Sequence, residues 1–466
     1  MDKRTISIIG LVVIFLGAII YFIPGSKIDL QTNLSGKSVA NSNASLTDSV
    51  DSVTDSILAG APEATSSDVI VSSGSDYNDI EPQKPLPNPP SVIKAIYATS
   101  WSAGSARKVD YLIDLIKTTE LNAIVIDLKD FSGHTLYDSQ LELVKKYKAK
   151  DVRIPKINAL IKKLHDEGIY VIGRQTIFQD PVLAKARPDL AIQKDILDKT
   201  VEIQNSTSTS AQQAVTKRVT WYDSKGLAWI DPGAKDAWDY NIAIAKEAVS
   251  RGVDEINFDY IRFPTDGKIN EMKFSHFDAN NMQKVTQINN FFRYLKENTN
   301  GMNTSADLFG LVTVNNDDLG IGQNLKSAAP YFYAISPMVY PSHYAKGFIG
   351  YSNPAEHPAE VITYSMQQAL KKFITEEICN DEVLVSTSTD SIATTTKKAC
   401  TKKEVKYMEA KLRPWLQDFN LGAQYGVEKV RAQINAVDKI LKNTPAYNGW
   451  MLWNPSNVYT KGALEL

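Results

Sequence analysis

From Ile93 to the end of the chain, short apolar segments rich in β-branched residues alternate with amphipathic helical segments. Near-continuous apolar strands are typical of a parallel sheet that is buried on both faces. Eight such units favour one closed barrel over an open doubly wound sheet. We therefore predict an α/β protein with a (β/α)₈ TIM barrel over residues 92–466. Its predicted strands are Ile93–Ser100, Ala123–Asp130, Tyr170–Phe178, Glu255–Phe263, Asp307–Thr313, Tyr333–Tyr340, Leu412–Phe419 and Gly449–Asn454.

The first 24 residues have a different character. An apolar run from Ile6 to Ile23 follows a basic flank at Lys3 and Arg4. The run is long enough to cross a bilayer as a helix, and its basic flank is expected to stay in the cytoplasm. A cleaved signal peptide is the alternative, but Phe22–Ser26 is a poor cleavage site. The sequence thus predicts an N-terminal membrane anchor with the barrel held outside the membrane.

Three low-complexity stretches surround or interrupt the barrel. Residues 25–91 are rich in Ser, Asp and finally Pro, which predicts a disordered stalk between the anchor and the barrel. Shorter polar insertions lie at about residues 199–219 and 379–400. Cys379 and Cys400 bracket the second insertion, and in an oxidising exterior they are expected to form a disulfide. Two unpaired thiols are the alternative.

Charge and motifs exclude several function classes. The chain carries 51 Lys and Arg against 53 Asp and Glu, so it lacks the basic excess that predicts a nucleic-acid partner. No Gly-x-Ser-x-Gly elbow and no Walker loop are present. The five histidines include no His-x-x-x-His spacing, and we predict no metal and no cofactor. An all-oxygen Mg²⁺ or Ca²⁺ site remains an open alternative.

Candidate site residues follow from the geometry of a parallel barrel, in which the carboxyl ends of all strands converge on one mouth. Asp259 ends strand 4 and is the first candidate, with Arg262 as its expected charge partner. Asp127 on strand 2 and Asp318, or its neighbour Asp317, after strand 5 are candidates for a second catalytic carboxyl. The predicted substrate contacts are Trp101, Lys129, Asp130, Arg174, Asp231, Arg262, Tyr340, His343, Trp415, Gln417, Asp418, Trp453 and Asn454.

A mouth lined by acids and indoles fits a carbohydrate substrate. Flat aromatic rings stack on sugar faces, and hydrolysis of a glycosidic bond needs one protonated and one ionised carboxyl group. A neighbouring arginine would favour the ionised form of Asp259. Structural roles remain open for the same residues. Asp259 could tie the barrel top together through Arg262 or Arg174, and Asp231 could cap a helix ahead of Pro232.

Four motifs in this order carry a family resemblance: DEINFDYIRFP, ISPMVYPSHY, RPWLQDF and GWMLWNP. The barrel resembles the bacterial glycoside hydrolase-like family catalogued as domain of unknown function 4015. The resemblance implies a TIM barrel distantly related to the α-amylase and chitinase-like barrels, with a hydrolytic role. The comparison with amylase-type enzymes makes Asp259 the nucleophile. The chitinase pattern fits less well, because Ile261 stands where its acid is required.

The sequence as a whole predicts a membrane-anchored, extracytoplasmic glycoside hydrolase that acts on a polysaccharide or cell-envelope glycan. Its expected partners are a carbohydrate polymer and, through the N-terminal helix, the membrane. A non-catalytic glycan-binding or envelope-scaffold protein is the first alternative, and a metal-dependent hydrolase is the second.

Overall fold

The computed structural model describes residues 78–198, 215–389 and 393–466. The predicted anchor and residues 25–77 of the predicted stalk lie outside them. None of the helices in the described ranges combines the length and apolar character that a bilayer crossing requires.

Eight parallel strands close into a barrel, as predicted. They are β1 (Ile93–Ala98), β2 (Ala123–Lys129), β3 (Tyr170–Thr176), β4 (Glu255–Asp259), β5 (Thr304–Phe309), β6 (Ala334–Met338), β7 (Lys411–Leu412 and Trp415–Gln417) and β8 (Gly449–Trp453). Each strand pairs in parallel with its neighbours in chain order, and β1 pairs with both β2 and β8. This last pairing closes the sheet.

Helices follow the strands and cover the outside of the barrel. The α-helices are Ser100–Gly104, Ala106–Lys117, Glu142–Lys146, Ile157–Asp166, Pro181–Ala186, Lys235–Ser250, Lys284–Asn298, Leu325–Ala328, Pro358–Phe373 and Val427–Leu441. The 3₁₀ helices are Ile269–Glu271, Gly310–Thr313, Ala329–Tyr331, Pro341–His343, Phe348–Gly350, Pro354–Glu356 and Lys461–Ala463. Further strands are Thr135–Tyr137, Lys150–Ile154, Gln193–Asp198, Val215–Thr220, Ile374–Thr389 and Ala393–Tyr407.

Alternate residues of each strand face the helices or the barrel interior. Ile124 and Ile126 of β2 join the large apolar core under the helices, whereas Ala123 and Val125 join a smaller cluster inside the barrel. Asp127 continues the inward series. Because side chains alternate with a period of two, the last inward-facing position of this apolar strand places a polar side chain in the barrel mouth.

Several strand boundaries differ from the sequence prediction, and two of these differences have a clear local cause. The fifth strand is Thr304–Phe309 rather than Asp307–Thr313, because the chain turns into a 3₁₀ helix from Gly310. The seventh strand is broken at Pro414, which has no N–H group to donate to the ladder. The first difference matters for the site, because it moves Asp307 from the start of the strand to its carboxyl-terminal half.

The last part of the predicted stalk packs against the barrel. Asp79 accepts hydrogen bonds from the backbone N–H groups of Asn158 and Ala159, at the start of the helix Ile157–Asp166. The Leu86 N–H donates to Asp254, and the Leu86 side chain packs on the apolar cluster inside the barrel. Residues 79–86 are thus tied to the barrel at the start of an outer helix and at Asp254, which directly precedes β4.

The two polar insertions form antiparallel hairpins. The first has the arms Gln193–Asp198 and Val215–Thr220, and residues 199–214 between them lie outside the described ranges. The second pairs Ile374–Thr389 with Ala393–Tyr407 between a helix and β7. The predicted disulfide between Cys379 and Cys400 is confirmed, with the two Cα atoms 5.8 Å apart.

Candidate active site

Arg174, at the carboxyl-terminal half of β3, lies at the centre of a buried charge cluster. Its Nη1 atom donates to Asp127 Oδ1 of β2 at 2.7 Å, and its Nε atom donates to Asp259 Oδ2 of β4 at 3.1 Å. The Nη2 atom also contacts Asp259. Oδ2 of Asp307 on β5 lies 3.8 Å from Nε. One planar cation on β3 therefore contacts carboxyl groups from β2, β4 and β5, an arrangement for which a guanidinium fork is suited.

Asp127 has a second hydrogen-bond partner in Tyr97 of β1. The Tyr97 hydroxyl donates to Asp127 Oδ2 at 2.5 Å. Burial, followed by the negative charge of Asp127, raises the pKa of Tyr97, so this hydroxyl keeps its proton. Burial also raises the pKa of Asp127 against the opposing effect of Arg174. Asp127 is thus a carboxyl group that takes up a proton more readily than an exposed aspartate.

Asp307 is the most perturbed acid of the cluster. Burial and the nearby negative charge of Asp259 raise the pKa of Asp307 to about 8. Its Oδ1 atom accepts hydrogen bonds from Asn257 Nδ2 at 2.9 Å and from Trp415 Nε1 at 2.7 Å. These donors fix the side chain, while the shifted pKa keeps Asp307 largely protonated at neutral pH.

Asp259 is held by the backbone as well as by Arg174. The next residue, Tyr260, has a φ of 52°, which a non-glycine residue rarely adopts. The Tyr260 N–H donates to Asp259 Oδ1 at 2.6 Å. Strained backbone of this kind clusters at functional sites, where the surrounding structure maintains it. Asp259 therefore accepts hydrogen bonds on both carboxylate oxygens.

Aromatic rings form one wall beside the cluster. The rings of Tyr97 and Trp453 stack with centroids 3.9 Å apart, and Trp415 meets Trp453 edge to face at 5.4 Å. Arg174 lies 5.2 Å from the Trp453 ring centroid. Tyr340 packs with these residues inside the barrel. The wall excludes water from one side of the charges, which strengthens their mutual interaction.

Two further predicted site residues lie at the mouth. The Arg262 guanidinium is stacked over Trp229 at 4.9 Å and over Phe309 at 4.7 Å. His343 is buried between Tyr340 and Phe419, and burial lowers its pKa to about 3. Its Nε2 atom has no hydrogen-bond partner among the residues that the structure describes. His343 is therefore a neutral ring.

The other predicted polar residues hold strands and loops together. Lys129 is fully buried and pairs with Asp180 at 2.9 Å. Asp231 accepts four backbone N–H groups, from Gly233 and residues 275–277, rather than capping the following helix through its side chain.

Three of the predicted substrate contacts bind loop residues after β6, β7 and β8. Asp418 accepts from both the N–H and the hydroxyl of Thr460. Gln417 accepts from the Ser342 N–H and donates to loop carbonyls. Asn454 donates to the carbonyls of Asp418 and Val458. These three residues, which were predicted as substrate contacts, thus hold the loops at the rim of the barrel in position.

Asp318 lies in a turn. Its side chain accepts from the Gly320 N–H at 3.0 Å, and its backbone carbonyl accepts from the N–H groups of residues 321–323. Its neighbour Asp317 is exposed and accepts from the Leu319 N–H. The structure places neither of them among the contacts of Arg174, whereas Asp307 is there.

Asp307, Tyr97 and Asn257 belong to the cluster but were not predicted from the sequence. For Asp307, the sequence does contain a pattern from which an inward-facing position could have been predicted. Polar Ser305 and Asp307 alternate with apolar Ala306 and Leu308, which is the same inward-outward pattern that identifies Asp259 on β4. The fifth strand was predicted to begin at Asp307, so the alternation of Ser305 and Asp307 was not assigned to one strand.

Within the described ranges, no group of three or more His, Cys, Asp or Glu side chains is arranged to hold a metal ion. In the cluster itself, the Arg174 guanidinium lies between the carboxyl groups of Asp127 and Asp259. The cluster is therefore organised around a cation that the chain supplies.

Comparison with known proteins gives one family and several solved structures. The family model described as "Putative glycosyl hydrolase domain" matches residues 95–382 and 380–459. A hypothetical protein from Ruminiclostridium thermocellum is 35% identical, with a TM-score of 0.38, over 48% of this chain and 98% of its own. No curated protein matches the sequence.

Two further solved structures have low sequence identity. The PgaB (BpsB) glycoside hydrolase domain from Bordetella bronchiseptica is 10% identical, with a TM-score of 0.47, over 79% of this chain and 95% of its own. The spore cortex-lytic enzyme SleL from Bacillus cereus is 9% identical, with a TM-score of 0.38, over 81% of this chain and 74% of its own.

Proposed function

The chain belongs to the "Putative glycosyl hydrolase domain" family, and from that premise we propose that it is a glycoside hydrolase acting on a polysaccharide or cell-envelope glycan. The observation that carries the proposal is the contact of Arg174 with Asp127, Asp259 and Asp307 at the carboxyl ends of the strands. Catalytic residues of TIM-barrel enzymes come from this face.

Charge balance divides the three carboxyl groups into two kinds. One Arg174 cation cannot neutralise three buried carboxylates, so protons must supply the remaining compensation. The pKa of Asp307, raised to about 8, makes Asp307 a group that holds a proton at neutral pH, and burial shifts the pKa of Asp127 in the same direction. Asp259 contacts both Nε and Nη2 of Arg174, and on this geometry we assign it the role of the ionised carboxylate. Separation of neighbouring carboxyl groups into an acid and a base is what glycoside hydrolysis requires.

We assign the roles on contacts and exposure. Asp259 acts as the nucleophile or as the base that activates water, and Asp127 donates a proton to the leaving oxygen of the glycosidic bond. Asp307 has a side chain that is 1% exposed, against 6% for Asp127, so Asp127 is the better placed donor to a substrate. Asp307 is a positioning residue that remains neutral beside Asp259. It replaces Asp318 in the set proposed from the sequence.

The disulfide supports an extracytoplasmic location, because such bonds persist in oxidising compartments. We propose that the apolar run Ile6–Ile23 anchors the protein in the membrane and that residues from Pro24 onward lie outside the cytoplasm. Fractionation of cells that produce the tagged full chain tests this placement. Recovery of the protein in the soluble cytoplasmic fraction would contradict it.

The proposed activity is tested by incubating the purified protein with isolated envelope glycans and soluble polysaccharides. We expect new reducing ends to appear with time on at least one of them. The alternative is a glycan-binding protein without catalysis, which is favoured by the engagement of both Asp259 oxygens in hydrogen bonds. Binding measured by calorimetry without any product on chromatography would support that alternative.

Asp307→Asn is expected to change the pH dependence of both stability and activity. The pKa of Asp307 lies near 8 in the folded protein against about 3.9 in an unfolded chain. The folded state binds the extra proton, so the wild-type protein loses stability as pH rises between these values. Asn mimics the protonated acid and removes this loss. The unfolding transitions of the two proteins should therefore differ more at pH 8.5 than at pH 5.

The activity of the same variant separates two roles of Asp307. If it is a positioning residue, Asp307→Asn retains turnover at pH 6 and loses the decline that the wild type shows as pH rises through about 8. Loss of turnover at every pH would instead make Asp307 the proton donor and overturn the assignment of that role to Asp127. Asp166→Asn, an exposed acid on an outer helix, is the matched control.

A further inference from the structure

Trp101 is the exposed aromatic residue that follows β1. Its residue surface is 48% exposed, whereas Trp415, Trp453 and Trp229 are buried. It lies in the short helix Ser100–Gly104, immediately beyond the carboxyl end of the strand. Trp101 therefore stands on the same barrel face as Asp127 and Asp259.

The Trp101 ring is held from one side. The guanidinium of Arg153 lies over it at 4.7 Å from the ring centroid. Arg153 is itself fixed by Asp130 at 2.8 Å and by Asp151 at 2.7 Å, and Asp130 accepts from both the N–H and the hydroxyl of Ser132. Because its support is already in place, this exposed indole loses less conformational entropy on binding than a freely rotating side chain would.

Close backbone packing maintains this support. A Cβ atom at Gly104 would lie 2.0 Å from the carbonyl oxygen of Arg153. Only glycine lets the helix Ser100–Gly104 approach the strand Lys150–Ile154 this closely, and the approach brings Trp101 over Arg153. The glycine thus has a specific packing role beneath the exposed ring.

A line of charges joins this ring to the proposed catalytic centre. Asp130 pairs with Arg153 and also acts electrostatically on Asp127, whose pKa it helps to raise. Asp127 in turn pairs with Arg174. Through Asp130 and Arg153, the support of the exposed ring is therefore linked by charge interactions to the proposed catalytic carboxyl groups.

We propose that Trp101, Arg153 and Asp130 form an accessory glycan-binding subsite, so that the protein engages a polymer several units long rather than a single terminal sugar. This inference rests on the proposed function for the nature of the ligand. Arg153 is already neutralised by two aspartates, so the subsite does not attract polyanions. The ligand class is a neutral or amino-sugar polymer.

The test uses affinity electrophoresis of the full-length Asp259→Asn protein in gels containing glycol chitin, glycol chitosan, hydroxyethylcellulose or polygalacturonate. We expect at least one of the first three to retard the protein and polygalacturonate not to. Adding Trp101→Ala should weaken the binding about tenfold, as expected for loss of an aromatic stacking contact. Trp101→Phe should restore part of it, and Gly104→Ala should weaken it by displacing the helix.

Tyr333→Ala is the matched control, because Tyr333 is 45% exposed and precedes β6 at the opposite end of the barrel. Unchanged retardation of Trp101→Ala, equal weakening by Tyr333→Ala, or no retardation by any of the three neutral or amino-sugar polymers would overturn the subsite. Retardation that depends on Trp101, with no reducing ends released by the wild type, would remove the proposed hydrolysis and keep the subsite.

Discussion

Asp259→Asn is expected to lower the turnover of a glycan substrate by at least about 10³-fold, because a neutral amide can neither attack the anomeric carbon nor activate water. The fold should survive the change. Arg174 keeps its 2.7 Å contact with Asp127. Removal of the charge on Asp259 also lowers the pKa of Asp307, so that Asp307 can ionise beside Arg174. Initial rates and the thermal unfolding midpoint are measured on the same preparations.

Two companion variants sharpen this result. Asp166→Asn removes an exposed acid from the outer helix Ile157–Asp166 and should change neither quantity. Asp318→Asn tests the sequence prediction, and its turn position leads us to expect a much smaller loss than for Asp259→Asn. A full loss at Asp318 would return the second catalytic carboxyl to that position. Full turnover by Asp259→Asn would exclude it as nucleophile or base.

Arg174→Met is expected to destabilise the protein by about 3–5 kcal/mol at neutral pH, since removing one partner of a buried ion pair leaves the other uncompensated. The cost should grow with pH. Without the cation, negative charge on the buried carboxyl groups is uncompensated, and Asp307, whose pKa is already about 8, carries more of that charge at pH 8 than at pH 5. Urea unfolding at both pH values gives the free energies of unfolding.

Arg174→Lys is the control that separates charge from geometry. The lysine keeps a positive charge, but it lacks the planar guanidinium that donates to Asp127 and Asp259 at the same time. We therefore expect the stability of Arg174→Lys to lie between that of the wild type and that of Arg174→Met. Turnover should fall in both variants. Equal stability of Arg174→Met and wild type at pH 8 would contradict the view that Arg174 compensates these carboxyl groups.

The barrel could be predicted because apolar strands buried on both faces leave a strong local pattern. Asp259 and Asp127 could be predicted for a related reason, as each is an acid at the inward position that ends such a strand. Arg174 was identified as a site residue, but only the structure shows that it reaches three acids. The guanidinium of Arg262, the expected partner of Asp259, is stacked over Trp229 and Phe309.

The roles of the remaining residues could not be predicted, because they depend on packing between segments that are far apart in the sequence. Asp317 and Asp318 sit in a sequence that is both a good turn and a good strand end, and local pattern cannot separate the two. Leu86 and Asp79 lie in a polar, proline-rich stretch with no period, yet they bind the barrel through contacts far away in sequence. Arg153 can support Trp101 because Gly104, which has no Cβ atom, lets the helix Ser100–Gly104 approach the strand Lys150–Ile154 closely.

We propose that this chain cleaves glycosidic bonds with water through Asp259. Hydrolysis of a responsive glycan in H₂¹⁸O, followed by mass spectrometry of the products, tests it most directly. We expect one ¹⁸O atom at each new reducing end with the wild-type protein and none above background with Asp259→Asn. Products without ¹⁸O, or equal incorporation by the two proteins, would contradict it.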